Sequence, residues 1–106
     1  MASSSEAFEK FETWKNSKTS LKVTVIVGGR TADVLMGRLF HVGSEESQVG
    51  LSNPLVMHSF VAFDLEEASF SIEESRLTAT RNESDWIVFE EVEELLPMWT
   101  RSKRRN

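Results

Sequence analysis

The 106 residues carry 12 lysines and arginines against 17 aspartates and glutamates, a net charge of −5. This length fits one domain that buries about two-thirds of the surface of its unfolded chain. With 40% apolar and 27% charged residues the composition is globular, neither disordered nor fibrous, and the absence of cysteine excludes disulfides, thiolate metal sites and cysteine nucleophiles together.

The elements follow in chain order. Residues 5–18 predict a helix, with Ser4 or Ser5 capping the free amides of its first turn, Glu6 and Glu9 near its N-terminus and Lys15 and Lys18 near its C-terminus. Phe8, Phe11 and Trp14 or Lys15 then share a face that would lie on a sheet. From Leu21 the period changes to two, with Leu21, Val23, Val25 and Val27 on one face of a strand. Gly28-Gly29 suits a tight hairpin leading to a second strand over residues 34–42, in which Gly37 marks an expected bend or bulge. Residues 43–47 form a polar loop, 48–51 a short strand and Ser52-Asn53-Pro54 a turn. Further strands are expected at residues 56–63, 69–73, 77–81 and 86–90, spaced as an antiparallel meander. The stripe of Phe89, Val92, Leu96 and Trp99, interrupted by Pro97, suggests a short helical turn at residues 92–96.

The expected fold is therefore α+β with mainly antiparallel strands. An N-terminal helix packs on a small, strongly curved sheet or partly closed β-barrel of five to seven short strands. Residues 1–99 form the single domain, and residues 100–106 a basic, mobile tail.

A helix, a strand, a glycine turn, a second strand with an internal glycine and further short strands resemble the Sm-like small-barrel pattern over residues 6–63. That family would place an acidic residue, an apolar residue and an Asn in the loop after the second strand. Here the loop reads Val42-Gly43-Ser44-Glu45-Glu46-Ser47-Gln48, and the family's later Arg-Gly element is absent. The resemblance is one of topology, and no binding residue carries over.

Charge is distributed unevenly. Residues 1–63 hold six acids and six bases and are neutral. Residues 64–94 hold eleven acids against Arg76 and Arg81, and Arg101, Lys103, Arg104 and Arg105 then add four positive charges. A crowded acidic stretch calls for solvent or for a positive surface to meet it.

The first residues, Met1-Ala2-Ser3-Ser4-Ser5-Glu6, lack the basic and apolar parts of a secretory signal, so a cytoplasmic protein is expected. The longest apolar runs, Val25-Ile26-Val27 and Trp86-Ile87-Val88-Phe89, fall far short of a bilayer of about 30 Å, and no membrane contact is expected. Asn82-Glu83-Ser84 matches the N-glycosylation sequon and reads as a turn.

Chemistry-bearing patterns are sparse. His41 and His58 read as ordinary strand histidines outside any metal-spaced motif. Adjacent carboxylates such as Glu73-Glu74 or Glu90-Glu91 point to opposite faces of a strand and cannot act as an acid and base pair. Gly28-Gly29-Arg30 precedes a strand, whereas phosphate loops precede a helix, and no Gly-x-Ser-x-Gly elbow occurs. No catalytic, metal or cofactor-binding residue is assigned, no cofactor is expected, and the chain reads as a non-enzyme.

What remains is contact. Trp86-Ile87-Val88-Phe89 is apolar on both faces of its strand and so calls for two covers, one from the helix and one from a second subunit. The expected function is a protein contact or homo-oligomer, with Trp86, Phe89, Trp99, Arg101, Lys103, Arg104 and Arg105 as candidate interaction residues. One alternative is salt-dependent nucleic-acid binding through the tail, where Trp99 adjoins four positive charges. It is disfavoured because the body, without that +4, carries −9. The other alternative is a small-molecule site in a barrel mouth near His41 or His58.

Overall fold

The structure, a computed structural model, describes residues 2–43, 45, 48–53, 59–62 and 68–93. Helix α1 spans Ser4–Asn16 and starts one residue earlier than expected. Its cap is Ser3, because Glu6 three residues on completes a capping box: the Ser3 hydroxyl accepts from the Glu6 amide at 3.2 Å and the Glu6 carboxylate accepts from the Ser3 amide at 3.1 Å. The helix also stops before Lys18. The Thr19 amide donates to the Trp14 carbonyl and the Lys18 amide to that of Lys15, a Schellman closure with Lys18 at φ 56°, where glycine is usual.

Among the described residues seven strands follow: β1 Ser20–Val27, β2 Arg30–Gly43, β3 Gln48–Ser52, β4 Ser59–Ala62, β5 Ser69–Ile72, β6 Arg76–Thr80 and β7 Trp86–Glu91. All neighbours are antiparallel. Gly28 and Gly29, at φ 62° and 75°, make the expected two-residue hairpin with positive φ at both central positions. The expected meander holds only in two parts. The sheet order is β4-β3-β2-β1-β7-β6-β5, so the chain passes from one edge to the other between β4 and β5, and β1 pairs with β7. The sheet is open, with β4 and β5 at its ends.

β2 pairs with β1 up to Arg38 and with β3 from Arg38 onward. Its two register shifts leave Ala32 and Phe40 as extra residues, and such bulges bend a strand. The expected bulge at Gly37 is not there: Gly37 sits in register opposite Leu21. It is glycine for another reason, since a Cβ would lie 3.0 Å from the Ser52 carbonyl oxygen and 3.3 Å from the Leu51 Cβ.

The helix lies across the sheet, beginning where Ala2 bridges to Phe70 of β5 and touching β2 as well. Thirteen residues give a helix about 20 Å long, close to the width of the strands from β5 to β2 at about 4.8 Å each. Its inner face of Ala7, Phe8, Phe11 and Trp14 is buried, as the sequence spacing predicts. Lys15 instead stays at the rim, 4.0 Å from Glu12. Phe11 meets Phe89 edge-on at 4.9 Å between ring centroids, and the Trp14 indole donates to the Glu91 carboxylate at 2.9 Å. Leu21, Val23, Leu39, Val49, Leu51, Val61, Phe70, Leu77, Ala79 and Phe89 complete one core.

Two substitutions test this account of the helix ends. Ser3→Ala is expected to cost about 1 kcal/mol in chemical denaturation, while Ser5→Ala stays within about 0.5 kcal/mol. Lys18→Gly, by removing a left-handed non-glycine residue, is expected to stabilise by about 0.5 kcal/mol.

Candidate protein-contact site

Strand alternation assigns every side chain of β7 to a face. Phe89 points to the helix and is fully buried, and Ile87 on the same side packs against the core. Trp86, Val88 and Glu90 therefore point outward. The register carries this outer face across the sheet in three rows. Thr80, Trp86, Ile26 and Thr31 form the first, Thr78, Val88, Thr24 and Val34 the second, and Arg76, Glu90, Lys22 and Met36 the third.

The centre of this face is apolar. Trp86, Val88, Ile26, Val34 and Met36 are half-buried, yet none belongs to the core or packs against it. Among the described residues no helix or strand covers them, since α1 occupies the opposite face. The outer face of an antiparallel sheet in water normally alternates to polar residues; β1 and β7 instead contribute Ile26, Trp86 and Val88.

The third row carries charge of both signs. Arg76 lies 3.6 Å from Glu90 across the strands and 4.0 Å from Glu73 in its own turn. Lys22 is directly opposite Glu90 in the register and makes no ion pair among the described residues. Such exposed pairs are worth about 0–1 kcal/mol each, so they set the polarity of the rim more than the stability of the fold.

Of the residues singled out from sequence, Trp86 is on this face and Phe89 is in the core beneath it. Trp99, Arg101, Lys103, Arg104, Arg105 and His58 lie outside the described residues, as do residues 94–96 of the expected helical turn. His41 is on β2 opposite Gly50, half-buried, with its ring 6.5 Å from that of Phe40. Among the described residues no group of three or more His, Asp or Glu side chains is placed to hold a metal. A shallow groove runs between α1 and the end of β2, lined by Ser5, Phe8, Glu9, Glu12, Thr13 and Val42.

Sequence reasoning missed Asp85. Its carboxylate accepts from the Gly28 amide at 2.9 Å and the Asn82 side-chain amide at 3.1 Å, while the Gly29 amide donates to the Ser84 carbonyl at 2.8 Å. Asn82 in turn accepts from the amides of Ser84 and Asp85 and from the Ser84 hydroxyl. The sequon-like turn is thus an Asx turn that clamps the tip of the β1–β2 hairpin and holds Ile26 beside Trp86. An Asn three residues before an Asp at a hairpin tip was the available signal, but its partner, Gly28, is 57 residues away.

Comparison with protein-family models, curated proteins and solved structures finds no match.

The Gly28 amide, then Asn82, hold the Asp85 carboxyl below its ordinary range, and the Ser3 amide, then its hydroxyl, do the same for Glu6. Both groups bind protons more weakly when folded. The stability they contribute is complete above their unfolded values and is lost as pH falls through the lower folded values. Urea midpoints are expected to drop on acidification below about pH 4, with a shallower drop in Asp85→Asn than in the natural chain.

Proposed function

We propose that this chain is a non-enzymatic protein-contact domain and that the outer face of β6, β7, β1 and β2 is its docking surface. The observation that carries the reading is the cluster of Trp86, Val88, Ile26, Val34 and Met36, which the fold gathers on the face away from the helix without packing it on the core. Four strands about 4.8 Å apart and six residues long at about 3.3 Å each give a face on the order of 400 Å² in projection. That is within the range of functional patches on single chains, about 300–600 Å². The two partners together would bury somewhat less than the roughly 1,200 Å² of a standard stable complex, which suits a reversible contact in the micromolar range.

The rim of threonines and the mixed-charge row supply the polar border that surrounds an apolar interface centre. Charge favours a protein over a nucleic acid: the net −5 includes four positive charges after Trp99, so the remainder carries −9 and repels phosphate.

A photoreactive amino acid in place of Thr24, at the centre of the face, tests the reading in cells producing the full chain. Irradiation is expected to join it to a protein, whereas the same group in place of Thr13 on the helix gives no adduct. No protein adduct from position 24 would contradict the proposed surface.

A further inference from the structure

We infer that the partner seated on the outer face is a second copy of this chain, related to the first by a two-fold axis lying parallel to the strands between β1 and β7. This rests on the reading of that face as a docking surface. The argument is one of self-complementarity. In a two-fold contact residue i meets j and j meets i, so a single face must supply both halves of every pair.

An axis between β1 and β7 places each row over itself with the two strands exchanged. Trp86 then covers Ile26 of the second copy, Val88 covers Thr24, and Thr78 covers Val34. In the third row Glu90 meets Lys22 of the second copy, and Arg76 passes over Met36. The one cation of the row without an ion pair among the described residues, Lys22, thereby gains a carboxylate, and it gains it twice by symmetry. Two sheets packed face to face keep their strands within about 30°, so pairs close to the axis retain this correspondence.

The other in-plane axis, perpendicular to the strands, fails on the same residues. It lays the Arg76-Glu90-Lys22 row over the Trp86-Ile26 row and removes charges from water against apolar side chains, which is strongly unfavourable without partners. An unrelated protein would need its own carboxylate opposite Lys22 and its own apolar strip opposite Trp86; a second copy carries both in register.

Charge reversal tests the inference by sedimentation velocity on the full chain, from about 1 µM to about 500 µM. The natural chain is expected to shift from the 12.1 kDa monomer to twice that mass over this range. Lys22→Glu alone sets a new carboxylate against Glu90 of the second copy, and Glu90→Lys alone sets a new ammonium against Lys22. Each is expected to weaken self-association at least about tenfold, since like charges facing each other are costly. An equimolar mixture of the two variants restores opposite-charge pairing between unlike chains and is expected to recover the dimer as a heterodimer.

Thermal melts establish that each variant is folded. Should either reversal unfold the chain, Lys22→Gln and Glu90→Gln take its place, with a smaller loss expected in each. A natural chain that stays monomeric throughout, variants that dimerise like it, or a mixture no better than its components would overturn the inference. A monomeric natural chain that still gives adducts to other proteins at position 24 would refute the second copy alone. The absence of any such adduct would remove the docking surface as well.

Discussion

Every other feature of this molecule depends on the pairing of β1 with β7. It joins a four-strand meander to a three-strand meander across roughly sixty residues of intervening chain, a closure whose entropic cost grows only slowly with length. Six consecutive residue pairs, from Leu21 with Glu91 to Ile26 with Trp86, make that seam. At one end of it Glu91 receives the Trp14 indole and ties the helix down. At the other end Asp85 reaches the amide of Gly28 and locks two hairpin tips together. In the middle, Val23 and Phe89 face Phe11, while Thr24 and Val88 face away.

The seam also explains why the protein has two apolar faces in so short a chain. The inner side of β1 and β7 must be apolar to seat α1, and burial of side chains such as Phe11, Phe89 and Leu21 stabilises by about 1.5–3 kcal/mol each. The fold makes no such demand on the outer side, where isolated threonines and charges would serve. Ile26, Trp86, Val88, Val34 and Met36 occupy it nonetheless, on three paired strands. Their value lies in what covers them, and the alternating order of acid and base beside them gives that cover a preferred orientation.

Much of the local structure was legible in the sequence because alternation and turn chemistry are local. The period-two pattern from Leu21, the Gly28-Gly29 turn and the apolar spacing of Phe8, Phe11 and Trp14 led to the right elements, and Trp86-Ile87-Val88-Phe89 pointed to a strand with two apolar faces. Alternation states which residues share a face but not which strand lies alongside, so the β1–β7 seam was hidden and a single meander was expected in its place. The true helix cap was missed because three serines in a row compete and only Glu6 decides among them. Gly37 was read as a bend because the close approach of Ser52, which requires it, comes from another strand. The Asp85 clamp and the row of Arg76, Glu90 and Lys22 likewise exist only once distant segments meet.

The most direct measurement uses the absence of cysteine in the natural chain. A single cysteine in place of Thr24 reports the exposure of the outer face through its rate of alkylation in the folded protein, compared with a cysteine in place of Thr13 on the helix. If two copies meet through this face, the rate at position 24 falls as protein concentration rises while the rate at position 13 stays constant. A rate at position 24 that stays constant as protein concentration rises would contradict a self-associating outer face.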